Sequence, residues 1–197
     1  YAVVGNFCDG GLGDIGIVPG PNVKDPVGIR DPEEWYVSLI TRKGYIGEIF
    51  ERQTELALKN LAIYREACGD RIDVIDVSEA DYGGQQGLLF SKEIFRELFV
   101  PRLERINSWI HANTGWKVFY HSCGAVSELL EDLIAIGVDI VNPVQYTARG
   151  MELAELKKKF GDRVVFWGGG IDTQRVLPFG RPEEVWEEVN RNIDTLS

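Results

Sequence analysis

Cysteine is scarce in this chain: Cys8, Cys68 and Cys123 stand far apart among 197 residues and leave an odd one over. Disulfide scaffolds close cysteines in pairs, so this spacing excludes such a framework and suits a reducing compartment; the expected location is cytoplasmic. Basic residues are also few, 21 Lys and Arg against 31 Asp and Glu, giving a formal charge of -10. Nucleic acid and anionic lipid surfaces both demand clustered Lys and Arg, so neither is an expected partner, and a small-molecule substrate or another protein is. No apolar run approaches the ~20 residues of a membrane span. The opening "YAVVGNF" carries neither a basic leader nor a cleavage site, and without an initiator Met the chain is expected to be processed or a fragment. What is present is 44% hydrophobic residues, enough for a real core, over a length that suits one domain, residues 1–197.

Short apolar runs alternate with longer segments of helical period. Residues 1–7, 72–78, 116–122, 139–144 and 164–170 are rich in Val and Ile and too short for helices, so they are predicted strands, with both faces covered. Asp31-Pro32 predicts a helix N-terminus followed by Trp35, Leu39 and Ile40 facing inward. The next helix is expected to bury Ile49, Leu56, Leu61 and Tyr64 and to stop at Gly69. Ser91 caps another, with Ile94, Phe95, Leu98, Leu103 and Ile106 at helical spacing and Pro101 kinking or dividing it. Ser127 to Ile136 and Leu153 to Phe160 are expected helices ended by glycine, and Pro182 opens a last one with Val185, Val189 and Ile193 on one face. Alternating β and α segments imply right-handed crossovers and a parallel sheet, either doubly wound or part of a (β/α)8 TIM-type barrel. A whole barrel takes ~250 residues and about five βα units are found, so the sheet is open or the barrel is incomplete.

Gly11 to Gly16 matches G-x-G-x-x-G after a strand, but the prolines that follow cannot extend a helix from that turn. A flexible active-site loop is the better reading. His121 and Cys123, in "VFYHSCG", lie two apart on a strand and leave the same face, which permits joint ligation of a metal. Thiolate and imidazole both suit zinc, though a buried cysteine and a histidine satisfying a carbonyl would look alike in sequence. Their place at the carboxyl end of a parallel strand favours a site. Cys8 is a candidate neighbour, Cys68 a structural residue and His111 a solvated one. Polar groups follow other strands: Glu79, Asp81, Gln85 and Gln86; Asn142 and Gln145; Gly168, Gly169, Gly170, Asp172 and Gln174. Singly they read as loop chemistry, but together they ring one end of the sheet, and the glycines leave backbone bare for a ligand.

"HSCG", "LLEDLIAIGVDIVNPVQ" and "FGDRVVFWGGGIDTQRVLPFGRPEEV", with "DYGGQQGLLFSKEIFRELFVPRLERI" before them, resemble the uroporphyrinogen decarboxylase (URO-D) superfamily, especially its corrinoid-dependent methyltransferase branch. The likeness is strong from Ile72 to Ser197 and loose before. It implies a (β/α)8 barrel, here partial and without the first units and the last strand, with its pocket at the carboxyl face. It also implies that His121 and Cys123 hold zinc with a further ligand near the last strand, beyond Ser197. In that reading Asp81, Gln85, Gln145 and Gln174 orient a thiol or similar acceptor, or a methylated corrinoid such as methylcobalamin, free or on a corrinoid protein. The decarboxylase alternative, removing acetate carboxyls from a tetrapyrrole in porphyrin biosynthesis, would use Arg149 and Arg175 for anions. It lacks its arginine-rich N-terminal motif here, and "VSEADYGGQQG" replaces its "FDSWAG"-like stretch. A third alternative is a non-catalytic partial barrel that binds a corrinoid protein or a partner chain, including a second copy of itself as a homo-oligomer.

Overall fold

Parallel pairing joins five short strands in the order in which the chain makes them: β1 (Val4–Asn6), β2 (Val74–Asp76), β3 (Lys117–His121), β4 (Ile140–Asn142) and β5 (Val165–Phe166). The computed structural model describes residues 1–7, 12, 29, 31–77 and 80–197. Cys8, the glycines of the G-x-G-x-x-G run and Glu79 lie outside the described residues. A doubly wound sheet reverses its strand order at a switch point, and this one does not. Each right-handed crossover therefore returns its helix to the same face, as in the wall of a (β/α)8 barrel, of which this is an incomplete part. The strands are shorter than their apolar runs, yet the ladder continues past them: Phe7 N–H donates to Asp76 O at 2.9 Å and Ser122 N–H to Asn142 O at 2.8 Å.

Local chemistry sets the helix ends. Asp31 accepts from Glu34 N–H at 2.9 Å and Pro32 begins α1 (Pro32–Thr41). Gly69, at φ 59°, ends α2 (Lys43–Cys68). Ser91 accepts from Ile94 N–H at the start of α3 (Lys92–Ile94). A π-helical turn over Phe95–Phe99 then precedes α4 (Val100–Asn113). Pro101 explains that division: it has no N–H to give Glu97, and the Arg102 guanidinium donates instead to the carbonyls of Glu97 and Leu98 at 3.3 and 3.2 Å. A 3-10 turn over Ser127–Leu129 leads into α5 (Leu130–Ala135), and Gly161 follows α6 (Leu153–Phe160). α7 (Val176–Phe179) and α8 (Pro182–Leu196) close the chain.

The expected inward residues hold for α3, the π turn and α4, where Ile94, Phe95, Leu98, Leu103 and Ile106 are all buried. Three expectations fail. Ile40 and Leu56 are exposed, because the buried stripes pass through Leu39 and Ala57, one residue and so about 100° away around each helix. In α8 the buried residues are Glu188 and Asn192, while Val185 and Val189 are half-buried and Ile193 is exposed, because the two polar side chains reach loop backbone. Coverage of both sheet faces is also partial. Helices cover one face, whereas the other carries a small cluster of Val74, Phe119 and Ile140 with Trp167 edge-on to Phe119, and Val4 and Val165 on the outer strands are exposed. No helix among the described residues is long and apolar enough to cross a membrane. Cys68 packs half-buried at the end of α2, against the core.

His111 is paired rather than merely solvated: its Nε2 lies 2.8 Å from Asp139 Oδ2, which also accepts from Val118 N–H at 2.9 Å, while Lys117 Nζ lies 3.3 Å from Oδ1. Burial raises the Asp139 pKa, but these donors together outweigh it and hold the carboxyl below its ordinary value. A depressed folded pKa means that the carboxylate stabilises the fold above the unfolded value, near 3.9, and that this contribution is lost as pH falls through the folded value. Asp139→Asn is expected to cost about 1–2 kcal/mol at neutral pH, and the gap from the parent should narrow as pH falls below about 4. Urea unfolding at several pH values measures it; a gap that stays constant in acid would contradict this role.

Candidate metal centre and adjoining cleft

Tyr82 anchors the loop after β2. Its ring is buried against Phe90, Phe95 and Phe99, its N–H donates to Ser122 Oγ at 2.9 Å, and its hydroxyl accepts from Tyr120 at 2.8 Å. Ser122 points into the interior, so by strand alternation His121 and Cys123 project the other way, to the carboxyl rim. The rim is closed by backbone contact. Gly124 sits at φ 83°, and a Cβ there would lie 2.2 Å from Gly83 O, so only glycine lets the two loops meet. Ala125 N–H donates to Gly84 O at 2.8 Å and Cys123 N–H to Asp81 Oδ1 at 2.6 Å across the same seam.

The seam gathers three donor atoms. Cys123 Sγ is 3.4 Å from His121 Nε2, Nε2 is 3.6 Å from Asp81 Oδ1, and all three lie within 4.8 Å of one another. Tetrahedral coordination with bonds of about 2.0 to 2.3 Å places neighbouring ligand atoms about 3.3 to 3.6 Å apart, and the two separations to His121 Nε2 are of that size. The histidine tautomer follows from its surroundings. Asn142 Nδ2 donates to Trp167 O at 2.8 Å, which turns Asn142 Oδ1 toward His121 Nδ1 at 2.9 Å. An amide oxygen only accepts, so Nδ1 carries the proton and the Nε2 lone pair faces Cys123 and Asp81. The side chains of His121 and Asp81 are 37% and 43% exposed, open to a ligand from the rim. One imidazole, one thiol and one carboxylate are groups of the kinds that ligate zinc.

Beside Cys123 lies a cleft of about 240 Å³, walled by Pro143, Val144, Gln145, Tyr146, Gly169, Ile171 and Gln174. Three expected residues form one chain of amides there: Gln145 Oε1 accepts from Gly124 N–H at 3.0 Å, and Gln85 Oε1 accepts from Gln145 and Gln174 at 2.8 and 3.4 Å. Gln85 is itself fixed by donating to Thr147 O at 2.6 Å. Gln86 is exposed. Gly168 and Gly169, at φ 118° and 80°, turn against Pro143 and Val144, so their bareness serves the packing of one loop on another, whereas Gly170 faces open space. Asp172 is buried away from the donors, accepting from the N–H groups of Gln174 and Arg175 at 2.8 and 3.1 Å. Arg175 and Arg149 are exposed, Arg175 3.8 Å from Asp172.

Two features were not read from the sequence. Asp81 stands as a third donor beside the His-x-Cys pair, although it is 42 residues from Cys123. A buried network also ties the cleft to α8: Glu188 Oε1 accepts from Asp172 N–H at 2.7 Å and from the Tyr146 hydroxyl. Burial, with Glu188 alongside, pushes the Tyr146 pKa up to about 12, so this phenol stays a donor at physiological pH. The sequence signal available for it was faint, an acid and an amide four apart on a helix face otherwise expected to be apolar.

Comparison with known families finds that residues 27–197 match the uroporphyrinogen decarboxylase (URO-D) model. No curated protein and no solved structure matches the chain. With the sequential parallel sheet and a polar rim at its carboxyl end, that match over most of the length means that the chain belongs to the uroporphyrinogen decarboxylase family.

Proposed function

We propose that the protein is a methyltransferase of this family, in which Asp81, His121 and Cys123 hold zinc and a methyl group passes from a methylated corrinoid to a small thiol. The observation that carries the reading is the three-donor cluster, whose separations of 3.4 and 3.6 Å match the edges of a zinc tetrahedron. In the reaction the thiol gives up its proton to solvent as it ionises, a pair on the thiolate sulfur forms the carbon–sulfur bond, the cobalt–carbon bond breaks, and its bonding pair stays on the cobalt. When bound, zinc supplies the positive charge that makes a thiolate available at neutral pH. Asn142 holds the imidazole in the tautomer that can donate, and Gln145, fixed through Gly124 N–H, shapes the approach beside Cys123.

Tetrapyrrole decarboxylation has less support. A cleft of about 240 Å³ is below the ~300–1,000 Å³ usual for drug-sized ligands, and among the described residues no Lys or Arg lines it to pair with a ring of carboxylates.

Cys123→Ser is expected to remove most bound zinc, measured by elemental analysis of the purified protein; stoichiometric zinc with full turnover in that variant would refute the assignment. Asn142→Ala touches no metal directly and should weaken zinc about 10- to 100-fold in competition with a chromophoric chelator, with the circular dichroism unchanged. Methylcobalamin absorbance should fall only when a thiol is supplied. Release of CO₂ from uroporphyrinogen, without metal or corrinoid, would instead favour the decarboxylase.

A further inference from the structure

Strand alternation places one more large side chain on the same face as the donor cluster. Phe166 packs against the helix-covered core, so its neighbours Val165 and Trp167 face the other way. The Trp167 ring meets Phe119 edge-on, with centroids 5.4 Å apart. Phe119 precedes His121 by two places on β3, so Trp167 belongs to the face from which His121 projects. Depth along the strands agrees as well. His121 pairs with Asn142, Val141 pairs with Phe166, and Trp167 N–H donates to Val141 O at 2.9 Å, which puts His121, Asn142 and Trp167 in one row across β3, β4 and the end of β5. Two strand spacings, roughly 10 Å, separate the backbones of His121 and Trp167.

The metal centre needs only the backbone of this residue. Trp167 holds Asn142, and through it His121, by its carbonyl oxygen, a group that every residue carries. The ring itself packs on Phe119 yet leaves Trp167 43% exposed. A single exposed aromatic is ordinary on a protein surface. One fixed at the depth of a histidine of the donor cluster, on the same face, and surplus to the metal is placed to meet a ligand.

Methyl transfer supplies a ligand of matching shape. A corrin is a flat macrocycle that presents its methyl group from the centre of one face, so when that methyl meets a sulfur at the donor cluster the ring spreads sideways over the neighbouring strand ends. Its edge carries methyl groups on ring carbons and carboxamide side chains. An indole answers both, with a broad apolar face and one N–H donor. We infer that Trp167 is a contact residue for the corrin ring, supporting its edge over β5 while the methyl group lies at the donor cluster. The inference rests on the methyl-transfer reading above.

The test is equilibrium dialysis of the zinc-loaded chain against methylcobalamin in the dark, read from cobalamin absorbance, for the parent, Trp167→Phe and Trp167→Ala. Trp167→Ala is expected to weaken methylcobalamin about 10-fold and Trp167→Phe only about 2-fold, because a phenyl ring keeps most of the flat contact. Zinc affinity against a chromophoric chelator and the circular dichroism should be unchanged in both, since the carbonyl that holds Asn142 remains. Unchanged methylcobalamin affinity in Trp167→Ala overturns the inference. So does a loss of cobalamin matched by a loss of zinc affinity, which would mark a purely structural role. A parent protein that takes up no methylcobalamin refutes the corrinoid reading itself, and this inference with it; the parent's own binding separates the two failures.

Discussion

The contact on which the site depends is between two bare backbones. Gly83 and Gly124 approach so closely that any side chain at Gly124 would collide with a carbonyl, and the Cys123 N–H reaches Asp81 across the junction. Hydrogen bonds in register along β2 and β3 bring the strand ends level, and the buried Tyr82 holds the first loop down while Ser122 accepts its N–H. The carboxylate of one loop and the sulfur of the next thus share a neighbourhood without either side chain being stretched toward the other. Donor atoms held by such a frame meet an ion with little reorganisation, which is the physical content of preorganisation.

Around that seam the polar groups divide by what they touch. Asn142 fixes the tautomer of His121, and its own orientation is fixed by the Trp167 carbonyl on the adjacent strand. Gln85 binds three loops together and turns two further amides toward the cleft. On the far side, Glu188 and Asn192 of α8 grip the backbone at Asp172 and Gly170, and Tyr146 donates to the same glutamate. Buried polar groups are costly unless paired, and these are paired with the loops that wall the cleft. The cost of burying an acid in α8 is thereby offset by rigid placement of the loops after β4 and β5.

Much of the fold was legible locally. Asp31-Pro32, Gly69, Ser91, Gly137, Gly161 and Pro182 each mark a helix end through a cap, a positive φ or a fixed φ, and the structure ends helices there. The division near Pro101 followed from a missing N–H, although the identity of the substitute donor, Arg102, did not. Helix faces were less secure. Ile40 and Leu56 are apolar and exposed, because hydrophobicity states that a residue tolerates burial and not that a partner exists to bury it. In α8 the buried places went to Glu188 and Asn192 while Val185 and Val189 are only half-buried, since the partners of the two polar side chains are a loop carbonyl and a loop N–H elsewhere in the chain.

The candidate site shows the same division at closer range. The sequence by itself determined that His121 and Cys123 share a direction, because alternation along a strand is a property of the backbone and needs no tertiary contact. It also determined that the chain alternates strands and helices, since periods of 2 and 3.6 are local. Only the tertiary structure decided that Asp81 joins the pair, that Asn142 rather than a carbonyl orients the imidazole, and that two of the three glycines serve packing. Each of those facts is a distance between residues remote in sequence, and such distances are set by strand register and by which surfaces can approach, quantities that no short stretch of residues contains.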